Sequence, residues 1–125
     1  MAGKTVLLVD DEAGLTTVLA KRLSSRGLAV KTAASGEEGL AVLSREPDIG
    51  LVVLDVNMPG MDGLETLRAI KAARPEVEAL LLTGYPSVEV ALEGMRLGAY
   101  EFLSKPCDVE ELHERVLAAL ARSGG

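Results

Sequence analysis

Ile49-Gly50-Leu51-Val52-Val53-Leu54-Asp55 is the stretch whose reading decides the fold. Its first six residues are apolar or glycine, with no polar alternation. Such a run describes a strand covered on both faces, as in a parallel sheet. It ends on an acid, Asp55, and a loop follows, Val56-Asn57-Met58-Pro59-Gly60-Met61. A strand covered on both faces needs helices above and below it, so strand and helix patterns should alternate along the chain.

They do alternate. Upstream, Val6-Leu7-Leu8-Val9 is a short apolar run that stops at Asp10-Asp11. Leu15, Val18, Leu19 and Leu23 then recur at helical spacing, and Gly27 takes the usual glycine position after a last helical turn. Residues 28–32 form a weaker strand interrupted by Lys31, and Ser35 with Glu38 reads as a capping box before a helix carrying Leu40 and Leu43. Downstream, Asp62 and Glu65 cap a third helix with Leu64, Leu67 and Ile70, closed by Pro75. Residues 77–82 are a fourth strand, ending at Thr83-Gly84. Val88, Ala91, Leu92 and Met95 carry a fourth helix, which Gly98 ends. Residues 99–103 are a fifth strand, ending at Ser104-Lys105-Pro106. Asp108 and Glu111 cap a fifth helix with Leu112, Val116 and Leu120 on one face. The expectation is an α/β fold: a doubly wound five-stranded parallel sheet, (βα)5. The more polar second and fifth strands belong at its edges, which gives strand order 2-1-3-4-5.

Composition narrows the function. A chain of 125 residues suits one domain, with a core over about residues 4–121. Aromatic residues make up 2%, so the core must be aliphatic. The net charge of −6 disfavours nucleic acid as a direct partner. No apolar run approaches the ~20 residues that span a bilayer, and no signal peptide is read at the N-terminus. The single cysteine, Cys107, leaves no intramolecular disulfide and fits a reducing cytoplasm.

In a sheet of this order ligands bind beyond the carboxyl ends of the strands, where the winding reverses. Asp10 and Asp11 follow the first strand, Asp55 the third, Thr83 the fourth and Lys105 the fifth. Taken singly, each aspartate is a helix cap, Thr83 a turn former and Lys105 a solvated surface cation. Together, three carboxylates repel unless positive charge sits among them. Mg²⁺ is the natural answer, with Mn²⁺ as an alternative, and Lys105 adds further positive charge. A carboxylate can also act as a nucleophile toward phosphorus. Phosphoryl transfer asks mainly for positioning and charge neutralisation, which Lys105 and the Thr83 hydroxyl could provide while Gly84 leaves space.

Four stretches then carry a family resemblance: 6–12 (Val-Leu-Leu-Val-Asp-Asp-Glu), 54–63 (Leu-Asp-Val-Asn-Met-Pro-Gly-Met-Asp-Gly), Leu82-Thr83-Gly84, and 98–106 (Gly-Ala-Tyr-Glu-Phe-Leu-Ser-Lys-Pro). In this order the chain resembles the receiver domain of bacterial two-component response regulators, over about residues 4–120. The resemblance implies a flavodoxin-like, chemotaxis-regulator-like fold. It implies that Asp10 and Asp11 hold Mg²⁺, that Asp55 is the phosphoacceptor and metal ligand, and that the backbone carbonyl of Asn57 joins the metal shell. It further implies that Thr83 is the switch hydroxyl, Lys105 the phosphate-contacting lysine and Phe102 the switch aromatic. The Lys105-Pro106 bond is expected to be cis. Tyr85, a variable position flanking the site, is expected to hinder attacking water and slow phosphoryl loss.

The same resemblance implies a histidine kinase or histidine phosphotransfer protein as donor. A downstream protein would dock on the face of the fourth helix, fifth strand and fifth helix, and a phosphorylation-favoured homodimer is a further expectation. Such a chain would not be a conventional enzyme, although it would catalyse its own phosphorylation and dephosphorylation. It could be a free-standing receiver or part of a longer regulator. Three other readings have less support. A flavin-binding module would need a hydroxyl-rich phosphate loop after the first strand and aromatics around the flavin, and this chain lacks that loop and most of those aromatics. A hydrolytic phosphotransferase would need a second general acid near Asp55 and a substrate cap, for which the chain is too short, and retention of Asp10, Asp11, Asp55, Thr83 and Lys105 argues against a pseudo-receiver. His113 reads as an exposed helix residue, and nothing near Cys107 marks it as reactive.

Overall fold

The computed structural model describes residues 4–58, 60–84, 88–105 and 107–124. The elements are β1 (Thr5–Val9), α1 (Ala13–Ser24), β2 (Val30–Ala33), α2 (Gly36–Arg45), β3 (Ile49–Asp55), α3 (Gly63–Ala73), β4 (Glu78–Thr83), α4 (Val88–Arg96), β5 (Glu101–Ser104) and α5 (Val109–Gly124). All strand pairs are parallel, in the order β2-β1-β3-β4-β5. The expected architecture is the observed one.

Alternation along the strands divides the core in two. Leu7, Val9, Val52, Leu54, Ala79 and Leu81 point to one face, where they meet Val42 and Leu43 of α2, Leu67 and Ile70 of α3, Val90 of α4 and Leu97 just after it. Val6, Leu8, Leu51, Val53, Leu80 and Leu82 point to the other, against Leu23 of α1 and Leu112, Val116 and Ala119 of α5. Every residue of β3 is buried, as its unbroken apolar run requires. Each fully buried leucine or valine contributes roughly 1.5–3 kcal/mol, so the two aliphatic layers carry most of the packing, with Phe102 and Tyr100 against their margins.

Several strand boundaries differ from the sequence expectation by one or two residues, for local reasons. Gly27 (φ 91°) ends α1 in a turn that takes Leu28 N–H to Leu23 O and Gly27 N–H to Ser24 O, so β2 begins only at Val30. Gly98 (φ 103°) does the same for α4 and engages Ala99 N–H with Gly94 O, so β5 begins at Glu101. Val77 N–H closes a turn onto Arg74 O, so β4 runs from Glu78 to Thr83. Asp55 pairs in register with Leu82 and belongs to β3 rather than to the following loop.

The helix caps also differ in detail. Asp62 and Glu65 form the full reciprocal capping box on α3. Ser35 Oγ accepts from Glu38 N–H, with no return bond from Glu38 among the described residues. Asp108 caps α5 as expected, but through the second helical position: its Oδ1 accepts from Glu110 N–H, with no Glu111 bond to Asp108 among the described residues. In α4 the apolar spacing identified the helix but not its inner face. Val90 and Gly94 pack inward, with Leu97 just past the helix end, while Val88, Leu92 and Met95 are 75%, 65% and 48% exposed. Val18 of α1 is exposed as well. His113 is half-buried rather than exposed.

Candidate functional site

The carboxyl ends of β1, β3, β4 and β5 bring the predicted residues together. β1 and β3 are neighbours, so Asp10 and Asp55 leave the sheet side by side. Both are buried, at 7% and 4% exposure, whereas Asp11 is exposed. One carboxylate oxygen from each of Asp10, Asp11 and Asp55 lies within 4.8 Å of the other two. That is a cluster of hard oxygen donors spaced to share one divalent cation, which fits the expected Mg²⁺ chemistry.

Lys105 enters from the end of β5, where its main-chain N–H donates to Thr83 O at 2.7 Å. Its ammonium donates to Asp10 Oδ2 at 2.8 Å and stands 3.5 Å from Asp55 Oδ2. It also reaches Glu12 Oε1 at 3.4 Å. Burial alone would lower the Lys105 pKa. The hydrogen bond and charge of Asp10, then the charge of Asp55, outweigh burial and raise it. Lys105 is therefore a fixed ammonium and not the solvated surface cation of the plainer reading.

Asp55 behaves in the opposite way. Burial, with the adjacent Asp10 charge, pushes its pKa up to about 6, against the pull of the Asn57 main-chain N–H and of Lys105. That N–H donates to Asp55 Oδ1 at 3.1 Å, while Oδ2 faces Lys105. Asp10 Oδ1 is held by the Glu12 N–H at 2.9 Å. Each buried carboxylate thus has one oxygen fixed by main chain two residues on and the other turned to the ammonium.

The Thr83 side chain is fully buried. Its hydroxyl donates to Asn57 Oδ1 at 2.7 Å. Phe102 is half-buried and pairs in register with Leu81, as Ser104 does with Thr83. Alternation therefore puts Thr83 and Phe102 on the same face of the sheet, toward α4. A Cβ at Gly84 would meet nothing within 4 Å, so the space expected there is present. Tyr85, Pro106 and the Lys105-Pro106 peptide lie outside the described residues.

A groove of about 510 Å³ opens over Asp55 and Lys105, with Leu15 and Leu19 of α1, Leu82 and Cys107 as its apolar wall. Burial and the neighbouring Glu111 carboxylate push the Cys107 thiol pKa up, consistent with an unreactive thiol. Sequence reasoning missed Glu12, although it is the third acid in a row after β1. It assigned Asn57 only a backbone role and missed its side chain. It also overlooked Gly63, whose N–H donates to Val56 O at 3.0 Å. A Cβ on Gly63 would stand 2.4 Å from Asp55 O, so the start of α3 packs directly beneath the acceptor strand.

Comparison with known proteins shows the family and the fold. The family model for the response regulator receiver domain matches residues 6–117. The chain is 40% identical over 118 residues to the transcriptional regulatory protein GlrR of Escherichia coli K12, covering 94% of this chain and 26% of that protein. It is 41% identical to the transcriptional regulatory protein ZraR of Salmonella typhimurium LT2, with the same two coverages. The chain thus spans about a quarter of the length of these curated relatives. Among solved structures, a CheY-like receiver domain protein from Methanospirillum hungatei JF-1 superposes with a TM-score of 0.92 at 30% identity, covering 98% of this chain and 97% of that one. The receiver domain of NtrX from Brucella abortus gives 0.86 at 33% identity, covering 93% and 98%.

Proposed function

The chain belongs to the response regulator receiver family, and on that premise we propose that Asp55 accepts a phosphoryl group and that residues 4–121 act as one receiver unit. The observation that carries the reading is the meeting of the Asp10, Asp11 and Asp55 oxygens within 4.8 Å, with the Lys105 ammonium 3.5 Å from Asp55 Oδ2. Asp55 Oδ1 is engaged by the Asn57 N–H, which leaves Oδ2 to attack. The donor is a phosphohistidine on a histidine kinase or phosphotransfer protein. A new P–O bond forms at Asp55 as the P–N bond breaks. Its electron pair returns to the ring nitrogen, so a protonated phosphoimidazole leaves as neutral imidazole. Lys105 neutralises charge beside the acceptor as a point charge. Asp10, Asp11, Asp55 and the Asn57 carbonyl would hold Mg²⁺ or Mn²⁺, which supplies charge neutralisation at the phosphoryl oxygens. Later attack of water on phosphorus restores the carboxylate. The domain catalyses these steps on itself and is not a conventional turnover enzyme.

The output reading follows from the same premise. The added dianion draws the Thr83 hydroxyl toward it, and Phe102, on the same face, moves with the change. A downstream protein or attached output domain reads the α4–β5–α5 face, where Val88, Leu92 and Met95 are exposed on α4. A phosphorylation-favoured homodimer would use that face too. Among the described residues no helix is long and apolar enough to cross a membrane, and a cytoplasmic site of action suits the kinase-facing role. The test is incubation with acetyl phosphate and Mg²⁺ followed by intact mass. One added phosphoryl group, absent in Asp55→Asn, is the expected result. No addition, or its survival in Asp55→Asn, would overturn the reading.

A further inference from the structure

We propose that the Asn57 side chain is a latch on Thr83, so that a phosphoryl group on Asp55 must compete with Asn57 for the one proton the Thr83 hydroxyl can donate. The inference rests on the phosphoryl-acceptor reading of Asp55. It assigns a role to the Asn57 side chain, whereas the family resemblance uses only the carbonyl of its main chain.

The geometry is specific. Thr83 Oγ1 donates to Asn57 Oδ1 at 2.7 Å. A threonine hydroxyl carries a single hydrogen, so it cannot donate there and to a phosphoryl oxygen at once. Thr83 has no exposed surface, and a buried hydroxyl that loses its acceptor without finding another is penalised. The one hydrogen of the hydroxyl can serve Asn57 or the phosphoryl group but not both, and these two settings are the states of a switch. Asn57 touches both partners: its main-chain N–H holds Asp55 Oδ1 while its side chain holds Thr83. The Asn57 residue itself is exposed, so its side chain is not a packing element of the core. Its identity sets how much phosphoryl contact the switch requires. Asn57 is a positioning residue that acts through Thr83.

The test uses the full chain with Asn57→Leu, which keeps the branched shape without the acceptor, and Asn57→Ala. Phe102 is the only phenylalanine, so fluorophenylalanine labelling places one ¹⁹F signal on it. Beryllofluoride with Mg²⁺ serves as the phosphoryl-like probe. Both variants should respond at roughly three- to tenfold lower beryllofluoride than wild type, the shift expected from losing one competing hydrogen bond. In the ligand-free protein, three-bond couplings should show Thr83 leaving its wild-type side-chain rotamer in both variants. The ligand-free thermal midpoint should fall by the few degrees that one lost hydrogen bond costs, and beryllofluoride should close most of that gap by giving the Thr83 hydroxyl another acceptor; a purely structural role would leave the gap unchanged. Unmoved beryllofluoride midpoints and an unchanged Thr83 rotamer would overturn the latch alone. A wild-type protein that does not respond to beryllofluoride at all would overturn the phosphoryl reading, and the competition with it.

Discussion

Lys105 Nζ donates to Asp10 Oδ2 at 2.8 Å across 95 positions of the chain. The pair lies at the sheet edge with Asp55 beside it, and Lys105 is the one cation within salt-bridge distance of both carboxylates among the described residues. Replacing it with an uncharged side chain leaves two buried carboxylates facing each other. Lys105→Met should destabilise the metal-free protein by about 1–3 kcal/mol at neutral pH, with part of that loss recovered by saturating Mg²⁺. Urea unfolding with and without Mg²⁺ measures both quantities.

Asp55 makes stability depend on pH in a definite direction. Its pKa in the fold stands at about 6, above its ordinary 3.8. Between those values the native state holds more protons than the unfolded chain, so the contribution of this group falls as pH rises through the window. In metal-free protein, Asp55→Asn should therefore gain about 1–3 kcal/mol at neutral pH, and the gain should vanish below about pH 4. Mg²⁺ affinity of the wild type should weaken by up to about tenfold per pH unit below about pH 6, because the proton competes for the same carboxylate. Thermal melts across pH and Mg²⁺ titrations read these trends.

Three glycines separate structural from chemical space around the site. Gly63→Ala drives a methyl against backbone, 2.4 Å from Asp55 O and 2.5 Å from Val56 Cα, and should cost about 2–3 kcal/mol. Gly94→Ala meets the tip of a side chain, Leu81 Cδ1 at 2.4 Å, so rotation of that leucine and the better helix propensity of alanine should keep the loss to about 1 kcal/mol or less. Gly84→Ala meets nothing and should leave stability within about 0.5 kcal/mol, while slowing acetyl phosphate labelling because its methyl enters the groove. Denaturation curves paired with labelling rates distinguish the three.

Arg74 fastens the amino end of the sheet. Its guanidinium donates to the carbonyls of Leu43 and Glu46 (3.1 and 3.0 Å) and of Pro47 and Ile49 (both 3.0 Å). A lysine has a compact point charge and cannot present this planar fork. Arg74→Lys should cost about 1–2 kcal/mol and Arg74→Ala about 2–4 kcal/mol. Labelling of the folded protein at Asp55 should be unchanged, since the clamp lies at the opposite end of β3. Equilibrium unfolding and intact mass together check both statements.

The outer face of α4 gives a prediction about association. Val88→Ser and Leu92→Ser remove exposed apolar surface, so each should leave stability within about 0.5 kcal/mol. If the proposed phosphorylation-favoured dimer forms with beryllofluoride, the double substitution should weaken it, as read by sedimentation equilibrium. A wild-type mass that does not change with beryllofluoride would remove the homodimer and leave the face to another partner.

Much of this was legible from residue order. The unbroken apolar run at β3 required cover on both faces, and the positions of the acids, the threonine and the lysine at strand ends placed them on one edge. Capping was legible where it is reciprocal, as at Asp62 and Glu65. The inner face of α4 was not legible, because the apolar side chains at Val88, Leu92 and Met95 outweigh the glycine that makes the contact. Gly94 packs against Leu81 by having no side chain, which hydrophobic spacing cannot register.

The sequence by itself determined the sheet, its strand order and the acidic and basic residues of the site, since periodicity and strand-end position are local properties of the chain. Only the tertiary structure decided how those residues spend their hydrogen bonds. Lys105 binds Asp10 more closely than Asp55. The Thr83 hydroxyl donates a hydrogen bond to Asn57 Oδ1. Glu12 joins the charged cluster through Lys105. Such choices depend on distances of a few ångströms between residues far apart in the chain, and a hydrogen bond is won or lost over a fraction of one.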